Sequence, residues 1–407
     1  MWSGLVDMAI HWSFPNDWRA PTLQQMYFGQ LRFLSMSAQD RNSAVEILRI
    51  LSMFFVVLVH FNRLGINPGI ISATGELTLE NGIGHMVQSI AIVAVNVFVL
   101  ISGYFGIRFK VKGVLRLYLM CLCWGIIAFI LFCIFCNRSI GRSILYQLFA
   151  FTQDRWWFII AYLYLYFAAP LLNAAVEHLT KRGFILVLAL YTVSALYFGY
   201  FRGVGDNMSG YSFAQFVYLY LIGRFINKHV PIERNVRTRK TIFLWWLLFT
   251  GMTFSLAILN QVWLHGEVTF LRPYPYNSPF ILGAAICLLC YSLTFSYTSR
   301  PVNGIAGSVL PAYLLQESLT WGHRWLYPAV HDFLASYSIT GKYLLLLLIS
   351  SVFLLLVICV DLVMRKAVYD PILAFYGSKI QPKEKVAYGR LAGWVDRVFC
   401  TTLGNKD

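Results

Sequence analysis

Arg49 and His60 stand eleven positions apart in the apolar stretch EILRILSMFFVVLVH, residues 46–60. Wound as a helix, they differ by only ~20° around the axis and lie ~16 Å apart along it, so they share a face. Histidine titrates near neutrality and is the natural base for a poorly nucleophilic hydroxyl. Arginine is a permanent cation whose planar fork holds phosphate or carboxylate. Glu46 precedes Arg49 by one turn and can pair with it, which lowers the cost of both charges near a membrane surface. For that pair, snorkelling and topology are a full alternative to chemistry. If the helix begins near Val45, His60 lies towards its far end and cannot snorkel back. Its alternative is a neutral ring hydrogen-bonded across helices. Ionisable groups inside a membrane are functional by default, and three on neighbouring faces of one helix point the same way.

The chain around these residues is far more apolar than a soluble domain. Of 407 residues, 58% are hydrophobic, 17% aromatic and only 13% charged, and the mean hydropathy is +0.62. A bilayer core takes about 20 apolar residues as helix. Runs of that order fall near 45–62, 84–105, 114–136, 156–173, 183–200, 213–229, 241–261, 278–297, 303–322 and 342–363. The expected fold is an all-α polytopic membrane protein of about ten transmembrane helices. Long continuous runs, rather than alternation with a period of two, exclude a strand-built barrel. With the N-terminus inside, 24 Lys and Arg face the cytoplasm and eight face outwards. That bias predicts cytoplasmic N- and C-termini; the expected location of such a multi-pass chain is the plasma (inner) membrane. The 33 Lys and Arg outnumber 18 Asp and Glu, but they are scattered between apolar runs. Membrane lipids, not nucleic acid, are therefore the expected surroundings.

Three regions follow. Residues 1–44 form an N-terminal cytoplasmic segment, and its aperiodic, Trp-rich beginning suggests that translation starts at Met36. Residues 45–363 form the membrane domain. Residues 364–407 form a basic cytoplasmic tail, in which Leu391, Trp394, Val395, Val398 and Phe399 repeat at helical spacing beside basic residues. Such a pattern suits an amphipathic helix on an anionic leaflet, or an ordinary disordered tail. No apolar core with a cleavage site marks a signal peptide near the start. Cys121, Cys123, Cys133, Cys136, Cys287 and Cys290 sit inside apolar runs without nearby His and read as buried thiols, so no metal site is expected. No Walker A, His-Glu-x-x-His or Gly-x-Ser-x-Gly motif is found.

The stretch RNSAVEILRILSMFFVVLVH resembles the first helix of the integral-membrane acyltransferase 3 family, marked by an arginine, ten residues and a histidine. Later segments fit in order. VNVFVLISGYF (95–105) resembles the end of the family's second helix, with Ser102, Gly103 and Tyr104; RFKVKGVLRLYL resembles the following basic segment. WWFIIAYLYLYFAAPLLN (156–173) resembles its Trp-Phe-x-x-x-Tyr helix before a proline. The likeness spans roughly 45–365, nearly the whole membrane region. VLPAYLLQES departs from the pattern, because Gln316 stands where the family commonly has a second histidine, with Glu317 next.

The resemblance implies an O-acyltransferase of the polysaccharide or sugar O-acetylating type. Such enzymes move an acyl group, usually acetyl from cytoplasmic acetyl-CoA, to a hydroxyl of a cell-surface glycan or lipid-linked sugar. Acetyl-CoA is then a substrate, and no metal or prosthetic group is expected. His60 would deprotonate the acceptor for direct attack or carry the acetyl group itself; both routes are open. Arg49 would hold the donor's phosphate or pantetheine end. Arg108, Lys110, Lys112 and Arg116 could bind donor phosphates, although cytoplasmic topology also calls for cations there. Glu317, Asn96 and Tyr104 could orient the base or stabilise an oxyanion, with Glu46 and Ser102 in support; Asn96 and Tyr104 could equally be packing hydrogen bonds. The outer loops hold Asp206, His265, Glu267, Tyr274 and Tyr276, which could receive a sugar or simply sit solvated at the interface. The competing reading is a polytopic transporter using Glu46, Arg49 and His60 as a proton or ion path. The two halves show no repeat that would support it. A glycan polymerase would carry a large charged outer loop, and no loop here is long enough.

Overall fold

Asn42 starts the first helix: its side chain accepts a hydrogen bond from the Ala44 amide at 3.1 Å, satisfying one of the otherwise unpaired first-turn N–H groups. The helix α1 (Ser43–His60) then runs on into a wider turn, Phe61–Ile66. The computed structural model describes residues 41–382 except 68–69, 71–73, 140, 152–155, 205–206 and 266–270. The Met36 start and the amphipathic pattern at 391–399 lie outside the described residues, as do Asp206 and Glu267. Of the described residues, 41–378 form one compact unit and 379–382, in helix, belong to a second.

After α1 come α2 (Leu79–Ala91), α3 (Ala94–Phe105), α4 (Val111–Phe135), α5 (Trp157–His178), α6 (Lys181–Ser194) and α7 (Phe213–His229). They are followed by α8 (Val236–Leu259), α9 (Pro279–Leu293), α10 (Arg300–Ala306), α11 (Leu310–Gln316), α12 (Tyr327–Ala335), α13 (Ile339–Met364) and α14 (Asp370–Phe375). Helix accounts for 81% of the described residues, and no strand occurs among them. The protein is all-α.

Seven helical stretches among the described residues are long and apolar enough to cross a membrane: Ser43–Ile66, Leu79–Phe105, Val111–Phe135, Trp157–His178, Lys181–Phe201, Val236–Leu264 and Ile339–Ile380. The apolar runs near 213 and 278 fold as the shorter helices α7 and α9, of 17 and 15 residues. α7 tolerates polar side chains such as Gln215 because residues 215–223 are buried against protein. The run 303–322, expected as one span, is broken. α10 stops at Gly307 and Ser308, Pro311 opens α11 in its first turn, and α11 ends at Glu317.

α1 occupies the middle of the bundle, packed on α2, α3, α9, α10, α11 and α13. By contrast, α5, α6 and α8 leave most of their apolar surface outward. The tightest crossing joins α3 to α7. A Cβ on Gly103 would collide with the Tyr220 backbone, and one on Gly223 with the Leu100 carbonyl. Small residues thus let two backbones meet, which is how helices associate where lipid removes the hydrophobic drive.

Candidate active site

His60 ends α1, and its Nδ1 lies 2.7 Å from the Val56 carbonyl. A carbonyl can only accept, so Nδ1 carries the proton and the free lone pair is on Nε2. That nitrogen faces the Glu317 carboxylate, with Oε1 at 3.5 Å. The separation exceeds a formed N–H···O bond and can tighten when the ring gains a proton.

Glu317 reaches this position because the chain reverses immediately after α11. The buried Ser318 hydroxyl donates to the Leu315 carbonyl at 2.8 Å and accepts from the Gly322 amide at 2.9 Å. Gly322 lies so close to the Gln316 carbonyl that no side chain fits there. The returning turn, Gly322–Leu326, and α12 bring two more groups to the carboxylate. The Tyr327 hydroxyl donates to Oε1 at 2.6 Å, and His323 Nε2 lies 3.6 Å from Oε2. Gln316, at the position of the expected second histidine, is fully buried, and its Nε2 sits 3.4 Å from His60 Nδ1.

These groups open onto a cavity of about 330 Å³ lined by His60, Arg63, Gln88, Tyr313, Glu317 and His323, with an aromatic wall that includes Trp157, Tyr211 and Tyr276. The Gln88 side-chain nitrogen is buried without a hydrogen-bond partner, and the buried Tyr313 hydroxyl lies beside the Phe158 backbone. Two side-chain donors therefore line a space that already holds a base and a carboxylate.

The loop at 271–278, whose tyrosines could have been solvated, instead folds inward. Tyr274 and Tyr276 are only 5% and 7% exposed. Asn96 donates to the Tyr276 carbonyl at 2.8 Å, and the Tyr276 amide donates to the Ser209 carbonyl at 2.9 Å. His85, on α2, faces the Tyr274 hydroxyl at 2.7 Å and Gln261 at 2.8 Å. Burial pushes the Tyr274 and Tyr276 phenols well above their usual value, so both stay neutral. His265 is exposed on the preceding loop.

The other expected residues lie elsewhere. Glu46 is buried and pairs with Arg49, with Arg41 at 4.0 Å on its other oxygen. Arg49 does not line the cavity. Arg108, Lys110 and Lys112 are exposed at the start of α4, while Arg116 is half-buried and within electrostatic range of Arg365, Asp370, Asp361 and Arg41. Arg116 and Arg41 thus share the Glu46 end of α1, away from the cavity. Ser102 bonds back to the Phe98 carbonyl at 2.9 Å and meets the Tyr162 hydroxyl at 3.3 Å. Tyr104 packs edge-on against Phe105. Asn96 and Ser102 brace the site from behind and do not line it.

Helix α5 does several jobs at once. Trp157 and Phe158 line the cavity, Tyr162 meets Ser102, and Asn173 donates to the Ile107 carbonyl at 2.8 Å, fixing the loop before α4. Arg63, His323, Tyr327 and Gln88 were not singled out in the sequence. Arg63 and His323 flank expected spans and read as ordinary loop charges. Only the break after Gln316 shows that Glu317, His323 and Tyr327 converge. Among the described residues, no group of three His, Cys, Asp or Glu is arranged to hold a metal ion.

A family model described as an acyltransferase domain matches residues 42–365. No curated protein and no solved structure matches the chain.

Proposed function

The chain belongs to the acyltransferase 3 family, and from that premise we propose that it transfers an acetyl group from cytoplasmic acetyl-CoA to a hydroxyl of a cell-surface glycan or lipid-linked sugar. The observation that carries this reading is the pairing of His60 Nε2 with Glu317 across a cavity large enough for part of a substrate.

The acceptor hydroxyl gives its proton to His60 Nε2 as its oxygen attacks the thioester carbonyl. The imidazolium that forms faces the Glu317 carboxylate, which stabilises it; Tyr327 holds that carboxylate in place. The C–S bond then breaks, and the proton passes from His60 to the departing CoA thiolate, leaving an ester and free CoA. The Gln88 nitrogen and Tyr313 hydroxyl are the donors placed to meet the oxyanion. In the alternative route, His60 Nε2 attacks the thioester carbonyl and the C–S bond breaks to release CoA thiolate; the sugar hydroxyl then attacks the acetyl-imidazolium, its proton passing to the thiolate as the C–N bond breaks and frees His60.

The thioester approaches from the Arg49 end, where Arg41, Arg49 and Arg116 gather cationic charge suited to the phosphates of CoA. With both termini in the cytoplasm and the protein in the plasma membrane, that end faces the donor pool and the His60 end faces the glycan. Comparison of surface-glycan acetyl esters in cells making wild type, His60→Ala or Arg49→Ala at matched abundance tests the reading. Loss of the esters in both variants supports it. Unchanged esters with altered solute uptake would replace it with a transporter.

A further inference from the structure

Arg63 lies three residues beyond His60, in the wider turn that follows α1. Both line the cavity. Arg63 is exposed, and no carboxylate among the described residues pairs with it. Glu317, the acid that lines the cavity, is held by the Tyr327 hydroxyl and has His323 Nε2 at 3.6 Å from its other oxygen. Arg63 therefore presents to the cavity a guanidinium that has Tyr211 as a hydrogen-bond neighbour and no direct carboxylate partner among the described residues. Its chemistry asks for an anion.

Beside it stands an aromatic wall. The rings of Trp157 and Tyr211 are 4.7 Å apart, those of Tyr211 and Tyr276 4.9 Å, and those of Trp157 and Tyr276 5.9 Å. Flat faces of this kind accept the apolar face of a sugar ring. Burial pushes the Tyr211 phenol above its usual value, and the nearby Arg63 charge opposes that rise without reversing it. Tyr211 thus adds no negative charge to cancel Arg63. The unpaired Gln88 nitrogen supplies a polar contact on the same cavity.

We propose that the acceptor is an anionic sugar, whose carboxylate or phosphate is held by Arg63 while its ring lies against Trp157, Tyr211 and Tyr276 and presents a hydroxyl to His60. This rests on the acyltransferase reading above and narrows it to acceptors carrying a negative charge within about one sugar ring of the acylated oxygen. The anion can be the carboxylate of an acidic glycan or the phosphate of a lipid-linked sugar. In both, Arg63 supplies a charge-assisted contact that a neutral sugar cannot use.

The test uses the full chain in lipid nanodiscs with three acceptors: a uronate-containing oligosaccharide, the same oligosaccharide with its carboxyl groups reduced to alcohols, and a lipid-linked sugar diphosphate. The quantity read is the ratio of kcat/KM for each anionic acceptor to that for the neutral one. Wild type should favour at least one anionic acceptor roughly tenfold or more. Arg63→Gln should bring that ratio towards one, and Arg63→Lys should restore part of it. A preference for the uronate assigns the carboxylate, and a preference for the diphosphate assigns the phosphate. A wild-type ratio near one, or a ratio unchanged in Arg63→Gln, overturns the inference while leaving the enzyme in place.

Binding of the same three compounds to His60→Ala, read by quenching of tryptophan fluorescence, separates the two failures. Charge-selective binding that Arg63→Gln abolishes, without any acetyl transfer by wild type, supports the anion site and removes the acyltransferase reading. Binding that ignores charge removes the anion site.

Discussion

Glu317 Oε1 lies 3.5 Å from His60 Nε2, although one residue ends the first helix and the other ends a short helix late in the chain. The opposite ring nitrogen is tied to the Val56 carbonyl, so the nitrogen facing the carboxylate is the one free to accept a proton. A base and the charge that stabilises its protonated form thus meet without any covalent link between their elements. Glu317→Gln keeps the shape and an acceptor for Tyr327 but removes the charge. It should lower kcat by roughly ten- to a hundredfold, equivalent to about 1.5–3 kcal/mol, with a smaller change in the acceptor KM. Steady-state rates of the purified variant check this; an unchanged kcat would remove Glu317 from the mechanism.

Tyr327 holds that carboxylate by a 2.6 Å bond and is itself buried. Tyr327→Phe deletes only the hydroxyl, leaving Glu317 short of one donor. The expected result is a loss of about 1–3 kcal/mol in stability together with a reduced rate. Thermal unfolding followed by fluorescence, alongside activity at matched folded protein, separates the two effects.

The loop carrying Tyr276 is held from behind by Asn96, whose donor reaches the Tyr276 carbonyl. Asn96→Leu leaves that carbonyl with only the 3.3 Å contact from Gln215. An acceptor resting on Tyr276 should then bind about fivefold more weakly, corresponding to about 1 kcal/mol for one lost hydrogen bond. The effect should appear in KM for the acceptor and not in KM for acetyl-CoA.

Two glycines provide a matched test of the bundle. Gly223 faces the Leu100 carbonyl across the α3–α7 crossing, whereas Gly251 on α8 has open space where a Cβ would go. Gly223→Ala should destabilise the purified protein by about 1–3 kcal/mol through overpacking. Gly251→Ala should be neutral or should stabilise it by up to about 1 kcal/mol through the better helix propensity of alanine. A melting temperature equally affected by both would contradict the crossing described here.

The helices were legible in the sequence because apolar length alone marks them, and α1 announced itself by carrying Glu46, Arg49 and His60 within such a run. The Glu46–Arg49 pair was legible too, since one helical turn fixes their separation. What composition concealed was the break at 303–322. Hydropathy sees Leu310–Gln316 and the residues beyond Glu317 as one apolar stretch, while the reversal depends on the Ser318 hydroxyl and on Gly322 touching the Gln316 carbonyl. His323, Tyr327 and Arg63 therefore stayed invisible as partners of the site. The inward fold of Tyr274 and Tyr276 was hidden for a related reason: their anchors, His85 and Asn96, sit on α2 and α3, far away in sequence.

The most direct measurement is transfer of radiolabelled acetyl from acetyl-CoA to glycan acceptors by the purified full chain in nanodiscs, wild type against His60→Ala. The account predicts label in the acceptor as an alkali-labile ester with wild type, and at least a hundredfold less with His60→Ala, the scale of a lost general base. Equal labelling by folded wild type and folded His60→Ala would contradict it.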